Sequence, residues 1–316
     1  MKILRPYKHV FGFYDGRVEG VRAYSPAPNW LDDGAYALGI CSYAIMDGSE
    51  ALVYDTHISL DHARLIRRTL EAEGVSSIRV LLSHWHDDHV AGNEVFADCE
   101  ILASAGTFSA LAAHREQMET ANPPIKPLVM PNRMLDGDVT LHVGNIAVEV
   151  RHVDIHSFDA AVLLLPESGV LLAGDTLEDP ITYVDEPGRL HIHLQDLERM
   201  AGWDVRHILP NHGRADVIEA GGYGVGFIDA TRVYVEALLK LDEDKEGAAR
   251  DLRSFVPDVF AGGAMTYFAA YEEVHERNVW AVLGLGGVAG SAIRLAPTTT
   301  CPAPAPPSPL HPHPKI

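Results

Sequence analysis

Apolar positions along this chain alternate between short β-type runs and helical spacing, a succession that predicts a layered α/β domain. Residues 42–46 and 51–54 are β-type runs joined by Asp47-Gly48, a hairpin turn pair. Leu60, Ala63, Leu65, Ile66 and Leu70 recur at helical spacing with charged residues between them. They predict an amphipathic helix over 60–72, ended near Gly74. Residues 78–82 are short and wholly apolar, as a buried strand is. A helix over 104–118 and a Pro-rich loop over 122–131 follow. Two β pairs come next, 139–143 with 146–152 and 160–165 with 170–173. Further helices are expected over 190–200, 230–241, 244–255 and 265–281, with a short strand at 207–209. Residues 1–34, rich in aromatics, Gly and Pro, yield only a strand near 10–14.

Length and composition narrow the class. At 316 residues the chain can bury a large core. One folded domain is expected over 1–295, followed by a Pro-rich, disordered tail over 296–316. No stretch reaches eighteen apolar residues, and the first twenty are too charged for a secretory signal. Cys41, Cys99 and Cys301 form no C-x-x-C pair. They point to a reducing compartment, and the expectation is a cytoplasmic protein without a disulfide framework. A net charge of −19 opposes binding to phosphate backbones and anionic lipid, so neither nucleic acid nor membrane is the expected partner. The seventeen His are an excess that directs attention to metal chemistry.

The densest cluster is His84-Trp85-His86-Asp87-Asp88-His89, directly after the run at 78–82. His84 and His86 stand two apart, so on an extended backbone both rings face one side. Imidazoles with a carboxylate suit Zn, Fe, Mn or Co. Later strand ends deliver more of the same groups: His152 and His156 before the run at 160–165, Asp175 after 170–173, and His212 after 207–209.

This ordered set resembles the metallo-β-lactamase fold superfamily: H-x-H-x-D-H, a His ahead of a strand, an Asp after Gly at a strand end, and a His before Gly. The resemblance implies a four-layer αβ/βα sandwich with its core at about 36–215 and a C-terminal helical cap at about 227–290. It implies that His84, His86 and His156 hold one metal, that Asp88, His89 and His212 hold a second, and that Asp175 bridges them. Asp55 matches the family's early structural Asp. Val153-Asp154-Ile155 stands where the family often has Thr-Pro-Gly; the distance to Asp175 favours His156 over His152. The implied cofactors are two divalent ions, Zn first, with Fe or Mn as alternatives.

A water shared by two such ions ionises near neutral pH, with Asp88 as the catalytic carboxylate that orients it or carries a proton. The expected function is hydrolysis of a small ester, thioester, lactone or amide. The alternatives are an iron-dependent oxygenase resembling persulfide dioxygenase, or amide hydrolysis resembling a class B β-lactamase. A nuclease is disfavoured by the charge. No G-x-S-x-G elbow is present. Tyr183, His191 and His193 are candidates for the substrate pocket. Trp85 is expected to pack beneath its loop, Asp87 to be solvated or to cap a helix, His57 to lie at the surface or just behind the pocket, and His275 to lie on a helix face. A small-molecule substrate is the expected partner, with a homodimer as one oligomeric option.

Overall fold

Strands buried on both faces need continuous apolar runs, and this chain has enough of them to build two sheets that pack face to face. The computed structural model describes residues 1–241 and 247–285. The first sheet contains β1 (Lys2–Tyr7), β2 (Val10–Asp15), β3 (Ile40–Asp47), β4 (Glu50–Tyr54), β5 (Ser77–Leu81), β6 (Glu100–Ser104) and β7 (Arg133–Leu135), paired in that order. Pairing is antiparallel from β1 to β4 and parallel from β4 to β7. The second sheet runs β12 (His207–Pro210), β11 (Val170–Gly174), β10 (Ala161–Leu165), β9 (Ile146–His152) and β8 (Val139–Val143). Only its β11–β12 pair is parallel.

Side-chain alternation assigns each face of the first sheet to a core. Cys41, Tyr43 and Ile45 of β3 join Leu52 and Tyr54 of β4 in the layer between the sheets, against Val148, Val150 and Leu163. Ile40, Ala44 and Val53 point the other way, onto Ala63, Ile66 and Leu70 of α1 (Leu60–Ala72) and Leu111 of α3 (Ala105–Thr120). The second sheet is covered in turn by α4 (Leu190–Ala201) and α6 (Gly226–Leu239). Two sheets between two helical layers make the αβ/βα sandwich. Two buried tyrosines tie the sheets together: Tyr54 donates to Ala161 O at 2.6 Å and Tyr43 to Pro210 O at 2.6 Å.

Helix α1 has the bounds its periodicity predicts, with Ser59 accepting from His62 N as its cap. Other elements depart from expectation. β1, β6, β7 and α5 (Ala215–Glu219) went unforeseen; β7 spans only three residues and reads as loop. The single helix expected over 244–255 is not formed. Residues 244–246 lie outside the described residues, a single 3-10 turn covers Gly247–Ala249, and Asp251 caps a separate short helix, α7 (Leu252–Phe255). Pro257 then opens α8 (Pro257–Ala261). The last helix, α9, covers Tyr271–Val282, not 265–281. The tail expected at 296–316 also lies outside the described residues. No helix among the described residues is long and apolar enough to cross a membrane.

Candidate metal centre

The ends of β4, β5, β11 and β12 and the turn after β9 meet along one edge of the sandwich, and each delivers a polar side chain there. After β5 the chain bends through Ser83, His84 and Trp85, is extended at His86 and then turns into α2 (Asp87–Val90), which swings Asp88 and His89 back toward His84. His156 sits in the turn after β9 at φ +70°, a left-handed conformation a β-carbon disfavours, held by the surrounding structure. β11 ends on Gly174 at φ +57°, and a Cβ there would lie 2.9 Å from Tyr54 Oη. Glycine therefore lets the chain turn and present Asp175 without displacing Tyr54.

The structure brings together all seven side chains singled out as ligands. His156 Nε2 lies 3.2 Å from His84 Nε2 and 2.9 Å from His86 Nδ1, which are 3.0 Å from each other. Beside this triad, Asp88, His89, Asp175 and His212 form a second group. Asp175 Oδ2 stands between them, 3.0 Å from His89 Nε2, 3.3 Å from His212 Nε2, 3.6 Å from His156 Nε2 and 3.7 Å from His84 Nε2. Asp88 lies 3.2 Å from His212 Nε2 and 3.5 Å from His89 Nε2.

The far sides of the rings show what these contacts are. His156 Nδ1 donates to Tyr183 O at 3.0 Å and His212 Nδ1 to Gly39 O at 2.7 Å. His89 Nδ1 donates to Asp55 Oδ2 at 2.9 Å. All three partners only accept, so each Nδ1 carries a proton and each Nε2 points inward, where it is a free lone pair whenever the ring is neutral. Those nitrogens face one another and the Asp175 carboxylate, whose Oδ1 is buried without a partner. Such a set calls for positive charge among the donors, supplied by protons on His89 and His212 or by a metal ion. Nitrogens about 3.3 Å apart are what a tetrahedral ion with bonds near 2.0 Å requires, so the donors present fit divalent ions. Fixing each ligand through its second nitrogen is a recurrent feature of metal sites.

Electrostatics splits the two groups. Burial, reinforced by the neighbouring His86, lowers His156 to about 3. Burial and the adjacent His89 and His86 hold His84 well below the ordinary histidine range. For His89 and His212 burial acts in the same direction, but the Asp175 and Asp88 charges overcome it and raise both rings well above that range.

Several supporting groups escaped the sequence. Asp55 Oδ1 accepts from Ser83 N at 2.6 Å, and its Oδ2 accepts from Asn211 Nδ2 at 2.6 Å. Ser83 Oγ contacts His84 Nδ1 at 2.8 Å. Ser83 and Asn211 each precede a histidine at an apolar strand end, a signal that was there to read. Asp185 lies 3.6 Å from His86 Nε2, and the buried Glu178 lies 3.5 Å from His156 Nδ1; although Glu178 is only three residues past Asp175, no spacing marked either of them.

The centre opens into a cleft of about 890 Å³, counting space open to solvent. Its walls include Trp30, Leu38, Trp85, Tyr183, Val274 and Arg277. Tyr183 thus borders the cleft, but His191 and His193 do not. Two residues apart on α4 they point to opposite faces: His191 is exposed, and His193 is buried 3.7 Å from Asp154. Trp85 forms a cleft wall, stacked on His114 at 4.3 Å between ring centroids, so it does more than pack beneath its loop. Asp87 opens α2 and also lines the cleft, where burial, then the Asp88 charge, raise it to about 7. His152 stays with Asp138, outside the cluster. His57 is buried on Phe13 O, and His275 is buried between Tyr234 and Arg250.

Comparison with known proteins agrees with this architecture. Residues 36–249 match the model of the metallo-beta-lactamase superfamily, and the chain belongs to that family. It is 28% identical over 176 residues to an atrochrysone carboxyl ACP thioesterase of Aspergillus terreus, covering 55% of this chain and 49% of that protein. It is 37% identical over 98 residues to a hydroxyacylglutathione hydrolase of Rhodobacter capsulatus, covering 31% of this chain and 33% of that one. The chain thus spans at most about half the length of these curated relatives. Among solved structures it is similar to the DIM-1 metallo-beta-lactamase, with a TM-score of 0.55 and 19% identity over 74% of this chain and 96% of that one. At that identity the likeness is one of fold.

Proposed function

We propose that this protein is a metal-dependent hydrolase whose substrate is a small thioester. The carrying observation is the convergence of imidazole nitrogens on one buried carboxylate oxygen. His84, His86 and His156 would hold one ion, Asp88, His89 and His212 a second, and Asp175 both, with Zn²⁺ the ion best matched to the donors. Ions bound there would supply Lewis acidity and ionise water near neutral pH.

The chain's own groups do the rest. Asp88, at the cleft wall, orients the attacking water and carries a proton to the departing thiol. Trp30, Leu38, Trp85 and Val274 give the acyl group an apolar wall and exclude bulk water. The Cys41 thiol does not serve as nucleophile: it is buried in β3, and burial pushes it up to about 12. A thioester is preferred over the ester, lactone and amide because two relatives from separate organisms carry thioester-cleaving names.

The test is a panel of acyl thioesters, esters, lactones and β-lactams given to Zn²⁺-loaded protein, with oxygen uptake followed in parallel on iron-loaded protein. Thioester cleavage that chelation abolishes is the expected result. A fully metallated protein inert on the whole panel would refute the hydrolase, and oxygen uptake would favour the iron oxygenase.

A further inference from the structure

Helix α9 begins twenty-two residues past the last residue matched to the family, yet one of its side chains reaches the backbone that holds a candidate ligand. Asn278 is fully buried. Its Nδ2 donates to Thr182 O at 3.0 Å, and its Oδ1 accepts from Val184 N at 2.9 Å. The second Nδ2 proton goes to Tyr234 Oη at 3.0 Å, so the amide is fully used. Tyr234 passes its own proton to His275 Nδ1, and His275 Nε2 donates to Arg250 O, which orients the amide unambiguously.

The clamp straddles one residue. Along an extended segment, the carbonyl of one residue and the amide of the residue two further on face the same side, and the groups of the residue between face the other. Asn278 engages Thr182 O and Val184 N from one side. The intervening Tyr183 is thereby turned to the opposite side, where its amide donates to Glu178 Oε1 at 2.9 Å and its carbonyl accepts from His156 Nδ1 at 3.0 Å. Tyr271, also on α9, donates to Glu178 Oε2 at 2.9 Å and braces the same segment.

We propose that Asn278 is a positioning residue for the metal centre: it fixes the Tyr183 carbonyl, and through it the ring of His156, so that α9 sets the affinity of the triad His84, His86 and His156. This rests on the metal assignment above. Asp55, Asn211 and Gly39 hold His89 and His212 from other elements, so the second group does not depend on the clamp.

The test follows Zn²⁺ release to a chromogenic chelator from the parent and from Asn278→Leu, which keeps the branched outline of the side chain and removes all three hydrogen bonds. The parent releases two equivalents. In the variant one equivalent binds about ten-fold more weakly, the lower end of what losing an outer partner of a ligand costs, and the other keeps its parental affinity. Equal weakening of both equivalents would show a merely structural role and overturn the inference, as would no change in either. Should Asn278→Leu not fold, Asn278→Ser takes its place with the same outcomes expected. A parent that binds no Zn²⁺ overturns the metal assignment itself, a different failure from a parent with two equivalents that the variant leaves untouched.

Discussion

Replacing Asp55 by Asn isolates how firmly this centre is built before any ion binds. Asp55 is fully buried, and every group facing it donates: Ser83 N at 2.6 Å, Asn211 Nδ2 at 2.6 Å and His89 Nδ1 at 2.9 Å. An amide has one acceptor and one donor end, so Asp55→Asn must point its NH₂ at a donor in either orientation. Asp55 sits at φ +66°, which Asn tolerates well, so backbone strain does not confound the change. One charge-assisted hydrogen bond is lost, worth about 1.5–3 kcal/mol, and one buried donor is stranded, at a cost of about 1–3 kcal/mol. Allowing for partial relaxation, the expected loss is about 3 kcal/mol. Urea unfolding of metal-free protein measures it, as a midpoint lowered by about 1 M at a slope near 3 kcal/mol/M. A variant within 0.5 kcal/mol of the parent would refute the reasoning.

The remaining expectations are of the same kind. Gly174→Ala forces a β-carbon toward Tyr54 Oη at φ +57°, and a thermal melt is expected to show about 2 kcal/mol lost. Trp85→Ala removes a cleft wall and is expected to raise KM for acyl thioesters with metal content unchanged. Stability of the metal-free protein is expected to peak near pH 6.5, followed by denaturant titration across pH. As pH falls from 6.5 toward 3, unfolded His156 takes a proton that the fold refuses, because burial, aided by His86, lowers the ring to about 3, so the unfolded state gains. As pH rises above 6.5, His89 and His212 pass through their raised folded values and lose the stability gained from pairing with Asp175 and Asp88. Saturating Zn²⁺ is expected to abolish that alkaline decline, since the ion takes the place of the protons.

What the sequence made legible follows from how locally each feature is encoded. The bounds of α1 and the hairpin of β3 and β4 depend on periodicity and a turn pair, and both are read from neighbouring residues. The seven clustered side chains lie beside strand ends within short motifs, and the structure brings them together. Edge strands such as β7, three residues long, carry too little pattern to identify. His191 and His193 misled because following Asp175 in the chain does not bring a side chain to its cleft: on α4 one is exposed and the other is buried beside Asp154. Asp185, Glu178 and Asn278 reach the centre only through tertiary packing, and no local spacing marks them.

Metal content after Zn²⁺ reconstitution and exhaustive dialysis, read by elemental mass spectrometry, bears most directly on the proposed centre. Two ions per chain are expected in the parent, with fewer in His86→Ala and in His212→Ala. A parent that retains none, or a His86→Ala protein that still holds two, would contradict it.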